Sequence, residues 1–136
     1  MSADGIRVRI RGEMDVSRAV LESRRFAQEL GFAEAPSLMI STAVSELARN
    51  ILRHGGGRGE IRVARARHFG SLGVRLEASD RGPGIADVSE ALKDHYSSAG
   101  TLGLGLPGVK RMMDEFTIDS APGEGTRVTA CKWMAR

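Results

Sequence analysis

Two runs of alternating apolar and polar residues, joined by a short connection, constrain the fold of this 136-residue chain most strongly. Residues 60–67 and 72–78 both follow the two-residue period of a half-buried β-strand. The connection around residues 69–73 contains two glycines, which is typical of a tight hairpin. Because a hairpin pairs consecutive strands in opposite directions, the sequence predicts a sheet that is largely antiparallel.

A strand and a helix are predicted at the start of the chain. Residues 6–11 alternate apolar side chains with arginine, which indicates a half-exposed strand. A helical stripe follows over residues 16–30, with Asp15 and Ser17 as alternative caps at its start. Gly31 is expected to end this helix, because glycine readily adopts the left-handed conformation found after helices.

The clearest helix covers residues 37–54. It is predicted to begin at Ser37, after a proline, and to end before the glycine-rich residues 55–59. Its apolar side chains recur at three- and four-residue spacing, which is the pattern of a helix with one buried face: Ile40, Val44, Leu47 and Ile51.

Further elements are predicted after the hairpin. Residues 87–94 are expected to form a short helix, and Pro107 is placed as the first residue of another helix that runs to Glu115. Residues 116–120 and 126–133 indicate two strands around a turn.

The order of these elements predicts an α+β fold, a two-layer sandwich in which a mostly antiparallel mixed sheet carries helices on one face. With 41% hydrophobic and 27% charged residues, the composition is that of an ordinary globular protein. A length of 136 residues is sufficient for one buried core. We therefore expect a single domain over residues 1–136.

Composition also excludes several classes of protein. Cys131 is the only cysteine, which excludes an internal disulfide framework and a cysteine-based zinc site. The sequence contains no run of about 18 apolar residues and no apolar N-terminal signal, so we expect a cytoplasmic protein without a membrane partner. The net charge is only +3 and aromatic residues make up only 4%, so we expect no nucleic-acid partner.

Glu46 and Asn50 place a carboxylate and an amide four residues apart on the long helix, and therefore on one of its faces. An amide oxygen suits Mg²⁺, and a neighbouring carboxylate can accept a proton from a hydroxyl group that attacks a phosphate. Taken alone, the pair is more typical of two polar residues on the solvent side of an amphipathic helix.

Asp80, Gly82 and Gly84 belong to the segment D-R-G-P-G-I, which directly follows a predicted strand. A carboxylate at this position can accept a hydrogen bond from an exocyclic amine such as that of adenine, and the glycines allow a ring to lie close to the backbone. The same composition is typical of a tight turn, which is the favoured interpretation of this segment alone.

The glycine-rich residues 100–108 lead into a predicted helix. Backbone N–H groups of such a run, together with the helix N-terminus, cradle phosphate groups. A glycine loop without a ligand explains the run equally well. Gly103, Gly105 and Gly108 match G-x-G-x-x-G formally, but no apolar strand precedes them, which argues against a dinucleotide-binding site. The sequence of a P-loop, G-x-x-x-x-G-K-[ST], does not occur.

The order of these segments is more specific than any one of them. Glu-x-x-x-Asn on a helix, then D-x-G-x-G, then G-x-x-G-x-G, then G-x-G-T before the last strand resembles the GHKL ATPase superfamily, which includes gyrase, heat-shock chaperones, histidine kinases and MutL. SELARN, DRGPGI and LGLGLPGVKRMMDEF resemble the small serine/threonine kinases of bacterial stress signalling, the RsbT type, over essentially the whole chain. The anti-sigma kinases of the RsbW and SpoIIAB types match less well after the glycine run.

This resemblance implies an ATP-dependent serine/threonine protein kinase with the GHKL, or Bergerat, fold and with ATP and Mg²⁺ as cofactors. It implies that Asn50 holds Mg²⁺, that Glu46 is the catalytic base and that Asp80 binds adenine. The other implied nucleotide contacts lie in the glycine-containing segments, where the glycines of the run surround the phosphates: Gly82, Gly84, Gly100, Thr101, Leu102, Gly103, Leu104, Gly105 and Thr126.

The positive charge at the terminal phosphate is not assigned by the resemblance. The anti-sigma kinases carry an arginine in the corresponding lid, whereas residues 95–106 contain neither arginine nor lysine. Arg49 and Lys110 are the candidates for contacts with the γ-phosphate, and both are also explained as ordinary charges on helix surfaces.

The partners implied by the resemblance are a STAS-domain antagonist of the stressosome, as substrate, and a PP2C-type phosphatase that the kinase activates by binding. The alternative is an anti-sigma factor that sequesters a sigma factor and in which ATP is mainly structural. The oligomeric state is not predicted.

Overall fold

The computed structural model describes residues 4–85, 88, 92 and 105–135. Its sheet contains β1 (Gly5–Ile10), β2 (Gly59–His68), β3 (Ser71–Asp80), β4 (Glu115–Ser120) and β5 (Thr126–Trp133). The strands lie in the order β1-β2-β3-β5-β4, and each of the four neighbouring pairs is antiparallel. The predicted sheet is confirmed, and within the described strands it is antiparallel throughout rather than mixed.

The predicted hairpin is formed by β2 and β3, whose pairing ends at His68 and Ser71. Phe69 and Gly70 are the two residues of its turn, and both have positive φ, 47° and 81°. Two positive φ angles are what a type I′ turn requires, and the twist of that turn matches two antiparallel strands. The strands are longer than predicted because the turn uses only two residues.

The first helix, α1 (Glu13–Leu30), begins earlier than predicted, after Gly12. Asp15 does not cap it from outside but lies in its first turn, where Oδ2 accepts hydrogen bonds from the backbone N–H groups of Arg11, at 2.8 Å, and Gly12, at 3.1 Å. Ser17, the other predicted cap, lies inside the helix. Gly31 ends the helix in the left-handed conformation, with φ 113°, as predicted.

The second helix, α2 (Glu34–His54), begins three residues before the predicted start at Ser37, because a proline is tolerated in the first turn of a helix. The third, α3 (Gly105–Met112), begins before Pro107 and ends before the predicted Glu115. Glu115 begins β4 instead. The pairing with β5 starts just before it, since the backbone N–H of Asp114 donates to the carbonyl of Cys131, at 2.8 Å.

The predicted short helix over residues 87–94 lies largely outside the described residues. Val88 and Leu92 are described, and the backbone N–H of Leu92 donates to the carbonyl of Val88, at 3.1 Å. This is the spacing of one helical turn.

The helices pack on one side of the sheet. Alternate strand residues, such as Val8, Ile61 and Leu76, turn buried side chains towards the helices, whereas Arg7 and Arg62 are exposed on the opposite side. The predicted two-layer α+β sandwich is therefore confirmed. In the described part of the chain, no helix combines the length and the apolar character that crossing a membrane requires.

Candidate functional site

Asp80 is the last residue of β3 and begins the loop that contains the predicted adenine contacts. Its Oδ1 accepts a hydrogen bond from the backbone N–H of Gly82, at 2.9 Å, which closes a turn of the Asx type. Among the described residues, no donor reaches its other oxygen, Oδ2. One carboxylate oxygen therefore shapes the loop, and the other can accept a further hydrogen bond.

The C-terminal end of α2 packs against this loop. A Cβ atom added to Gly55, which caps α2, would lie 2.6 Å from Cγ of Asp80. A Cβ added to Gly82 would lie 2.5 Å from the carbonyl carbon of Gly55. Because real Cβ atoms essentially never approach so closely, both positions require glycine. The helix that carries Glu46 and Asn50 is thus in direct contact with the Asp80 loop.

Gly84 and Gly125 join the Asp80 loop to the turn before β5. Both have φ 79°, in the left-handed region that favours glycine. A Cβ on Gly84 would lie 2.0 Å from the carbonyl oxygen of Ala121, and a Cβ on Gly125 would lie 2.2 Å from that of Asp80. The two loops are therefore in backbone contact at two places.

The hydroxyl of Ser120 links the same two loops by hydrogen bonds. Its Oγ accepts from the backbone N–H of Ile85, at 2.7 Å, and donates to the carbonyl of Gly125, at 3.0 Å. It also lies 2.8 Å from Oγ1 of Thr126. Thr126 pairs directly with Asp80 in the sheet, so the structure brings this predicted residue next to the predicted adenine contact.

Glu46 differs from the solvent-facing residue that an amphipathic helix would carry at its position. It is only 8% exposed, and its Oε2 is buried with no hydrogen-bond partner among the described residues. Asn50 follows one turn later and is half-buried. A buried polar group without a partner costs free energy, and in native proteins such a group has a specific explanation, such as a catalytic role or a bound ion.

The predicted phosphate-binding run is described only from Gly105 onwards. Gly105 has φ 45° and begins α3, which packs against α2. The other predicted nucleotide contacts in this run lie outside the described residues: Gly100, Thr101, Leu102, Gly103 and Leu104.

The two candidates for the γ-phosphate contact have different surroundings. Nη1 of Arg49 lies 3.3 Å from Oε2 of Glu13 on α1, and its Nε donates to Oγ of Ser45, at 3.4 Å. Lys110 is exposed on α3 and makes no ion pair within residues 4–85 and 105–135. Arg49 is therefore occupied by a neighbour on α1, whereas the described part of the chain provides Lys110 with no such partner.

The residues that are present fit a nucleotide bound together with a divalent cation. Asp80 offers an acceptor beside a glycine-lined backbone, and Asn50 offers an amide oxygen. Among the described residues, no three His, Cys, Asp or Glu side chains converge on one point. An amide oxygen together with water and phosphate oxygens is a ligand set that would suit Mg²⁺.

Two residues of the site were missed by the sequence interpretation. Ser120 was predicted only as the end of a strand, and Gly55 only as the end of a helix. A signal for Ser120 exists in the sequence, because pairing the two predicted strands around their turn sets it opposite Thr126. No local signal indicates that Gly55 contacts Asp80, since the two residues meet only after the sheet and α2 have packed together.

A family model described as the histidine kinase-like ATPase domain matches residues 12–132. The chain belongs to this family. The predicted membership of the GHKL superfamily is thus confirmed, and ATP is the nucleotide that this family of ATPase domains implies.

The chain is also similar to individual proteins and to a solved structure. The chain is 46% identical to serine/threonine-protein kinase RsbT of Bacillus subtilis (strain 168) over 127 residues, which cover 93% of this chain and 95% of that protein. It is 31% identical to the anti-sigma F factor of Thermoanaerobacter sp. (strain X514) over 99 residues, which cover 70% and 68% of the two chains. The NMR structure of the histidine kinase domain of the E. coli osmosensor EnvZ matches with 26% identity and a TM-score of 0.45, covering 74% of this chain and 66% of that one.

The likeness to the RsbT kinase spans nearly the whole of both chains, whereas the likeness to the anti-sigma factor is weaker and shorter. The likeness to the RsbT kinase confirms the predicted resemblance to the RsbT type and the predicted class of enzyme, a serine/threonine protein kinase.

Proposed function

We propose that this protein transfers the γ-phosphoryl group of ATP to a serine or threonine hydroxyl of a STAS-domain antagonist. The observation that carries the proposal is the buried carboxylate of Glu46, which has no partner among the described residues and lies one helical turn from Asn50. The substrate class is the one that the resemblance to the RsbT type implies, and the likeness to the RsbT kinase supports it.

Glu46 is proposed as the group that takes the proton from the attacking hydroxyl. A carboxylate that is held in a helix and lacks a competing donor is available to accept a hydrogen bond from a substrate hydroxyl. The helix also fixes the carboxylate relative to Asn50, so the base and the proposed metal ligand keep a constant separation.

Asn50 is proposed to hold Mg²⁺ through its amide oxygen. ATP and Mg²⁺, when bound, supply the phosphoryl group and the cationic charge that stabilises its transfer. The contribution of Asn50 is to orient the metal from a helix whose C-terminal end is packed against the Asp80 loop.

Asp80 is proposed to accept a hydrogen bond from the exocyclic amine of adenine through Oδ2, since Oδ1 is already bonded to the backbone N–H of Gly82. Gly82 and Gly84 would keep the backbone close to the ring, and Thr126 would support this end through its bond with Ser120. Gly105 and the preceding run would surround the phosphates, with Lys110 as the first candidate for a γ-phosphate contact.

The remaining partner is proposed to be a PP2C-type phosphatase, which the kinase would activate by binding. Mixing the protein with the phosphatase, in the absence of the STAS-domain protein, should raise the rate of phosphatase turnover, and adding an excess of the unphosphorylated STAS-domain protein should reverse the increase by competition. An unchanged phosphatase rate at saturating kinase would remove this partner from the proposal.

The kinase proposal is tested by incubating the protein with ATP labelled at the γ-phosphate, Mg²⁺ and a STAS-domain protein from the same operon. We expect label on the STAS-domain protein with wild type, and at least about a hundredfold less with Asn50→Ala. Mg²⁺ should strengthen the binding of ATP to wild type and should have less effect on Asn50→Ala. Equal labelling by both proteins would contradict the role of Asn50.

The second candidate function is an anti-sigma factor, which is favoured by the likeness to the anti-sigma F factors. It predicts that a sigma factor purifies with the protein in stoichiometric amount and that no STAS-domain protein is labelled. The two functions are therefore separated by one labelling reaction and one co-purification.

A further inference from the structure

Five exposed arginines surround a cavity of about 910 Å³ at the end of the sheet where β3 ends. Each comes from a different part of the rim. Two lie in strands, Arg9 in β1 and Arg127 in β5. The other three lie next to a strand end: Arg11 after β1, Arg58 before β2 and Arg81 after β3. We call this cavity the arginine pocket. The proposed kinase chemistry uses none of these side chains.

The arginine pocket includes the side of the sheet that the helices leave uncovered. Arg9, Glu60, Ser79 and Arg127 follow one another in the register across β1, β2, β3 and β5. Their strand neighbours on the opposite side, such as Ile10, are buried under the helices. The Asp80 side chain belongs to that opposite side, so the arginine row and the Asp80 side chain lie on different faces of the sheet.

The guanidinium groups of these arginines lack partners in the described part of the chain. No ion pair or hydrogen bond joins the guanidinium group of any of the five to another described residue. By contrast, other arginines form ion pairs with described residues, including Arg7 and Arg62 with Glu60. Unpaired arginines grouped around one opening produce a positive potential there.

The three carboxylates in the lining do not cancel this charge. Glu60 is bonded by Arg7 and Arg62, which lie outside the pocket lining. Burial alone would raise the pKa of Glu60, but hydrogen bonds and charges of Arg62 and Arg7 hold that pKa below its ordinary value. Glu60 is therefore ionised and paired, and the Asp80 side chain lies on the other face of the sheet, so Glu124 is the lining carboxylate left against the five arginines.

The geometry points to a second binding site, the arginine pocket, which takes a carboxylate-rich segment of a partner protein. Guanidinium groups bind carboxylates through paired hydrogen bonds, and five of them spread around a wide opening suit several carboxylates along a chain better than one phosphate. Gly56 is exposed in the lining, and a glycine there leaves the backbone accessible to a peptide.

A nucleic acid fits this lining less well than a peptide. None of the residues that line the pocket is aromatic, so the described surface offers no platform on which bases could stack. Glu124 would also repel a regularly charged phosphate backbone, whereas a peptide can carry a neutral or basic residue opposite it.

The experiment measures the binding of a fluorescein-labelled ten-residue peptide of alternating glutamate and serine, by fluorescence anisotropy at low ionic strength. We expect Kd to rise about tenfold in Arg9→Ala/Arg127→Ala relative to wild type, since two charged contacts are lost. The matched control is Arg25→Ala/Arg67→Ala, which removes two exposed arginines outside the pocket lining and should change Kd by less than about twofold.

Four results would overturn the inference. The first is that wild type does not bind the peptide. The second is that the control variant loses as much affinity as the pocket variant, which would assign the binding to overall charge. A single-stranded oligonucleotide of equal length binds the pocket more tightly than the peptide, which assigns the site to nucleic acid. The affinity for ATP falls in parallel with that for the peptide, which assigns these arginines to the nucleotide site. Because ATP binding is measured separately, failure of this inference is distinguishable from failure of the proposed kinase function.

Discussion

The two ends of the candidate site are built differently. At the end around Asp80, which we call the adenine end, two loops are held by a shared serine hydroxyl and by glycines in backbone contact. At the end around Glu46 and Asn50, which we call the catalytic end, a buried carboxylate oxygen has no partner among the described residues. Both ends have an oxygen without a donor in the described part of the chain, but that of Asp80 belongs to a half-buried side chain, whereas that of Glu46 is fully buried.

The difference indicates which part of the site depends on ligands. Hydrogen bonds and close packing at the adenine end contribute to folding whether or not a nucleotide is present. An unpaired buried carboxylate lowers the stability of the fold, so its presence requires a benefit when substrate is bound. Substitutions should therefore affect mainly activity at the catalytic end and mainly stability at the adenine end.

The largest effect is expected for Glu46→Gln, on activity alone. The amide keeps the shape of the side chain but cannot take the proton of the attacking hydroxyl, so labelling of the STAS-domain protein should fall by about 10² to 10⁴. The midpoint of thermal unfolding should stay the same or rise, because a neutral group is less costly to bury than a charged one.

Glu29→Gln is the matched control, since it makes the same change at an exposed position of α1. It should leave both the rate of labelling and the unfolding midpoint unchanged. A Glu46→Gln protein that unfolds at a clearly lower temperature would show that the carboxylate stabilises the fold, and the contrast between the two ends would then be lost.

The second effect in size is expected for Gly125→Ala, on stability. Gly123 and Gly125 have nearly the same φ, 78° and 79°, but a Cβ on Gly123 meets nothing within 4 Å, whereas one on Gly125 would lie 2.2 Å from the carbonyl oxygen of Asp80. Gly125→Ala should lower the free energy of unfolding by about 3 kcal/mol, and Gly123→Ala by about 1 kcal/mol, as measured by denaturant titration. Equal losses would mean that the two loops separate easily.

The parts of the site that could be predicted are those encoded within a few residues. Asp80 and Gly84 belong to one short segment whose composition already indicates a turn, and Glu46 and Asn50 follow from helical spacing. Burial of Glu46 could not be predicted, because it depends on how α2 packs. The polar character of glutamate indicated a solvent-facing residue, and only the assembled fold shows its oxygen buried.

Some predicted boundaries of the helices were wrong for a similar reason. The helix predicted to end at Glu115 ends at Met112, because the backbone of Asp114 pairs with Cys131, a residue 17 positions later. The bond from Ile85 to Ser120 likewise spans 35 positions. Contacts at such separations are set by the register of the sheet, and no single segment of sequence contains them.

A smaller loss of stability is expected for Ser120→Ala. The substitution removes the acceptor of the Ile85 N–H and the donor to the Gly125 carbonyl, and should lower the free energy of unfolding by about 1 to 2 kcal/mol. Ser17→Ala, at an exposed position inside α1, should be neutral or slightly stabilising, because alanine favours a helix. If Ser120→Ala were as stable as wild type, water would be replacing the hydroxyl, and this serine would not hold the two loops of the adenine end together.

The smallest effect is expected for Arg49→Ala, which tests whether the catalytic end contains its own positive charge. The pair of Arg49 and Glu13 is exposed, with side-chain accessibilities of 38% and 72%, so its loss should change the free energy of unfolding by about 0.5 kcal/mol or less. Because Arg49 is directed towards α1, the rate of labelling should fall by less than about threefold, and Glu13→Ala should behave similarly. A fall of more than about tenfold in Arg49→Ala alone would instead assign this guanidinium to the γ-phosphate. The catalytic end would then supply both the base and the compensating charge from one helix, and Lys110 would have no role in transfer.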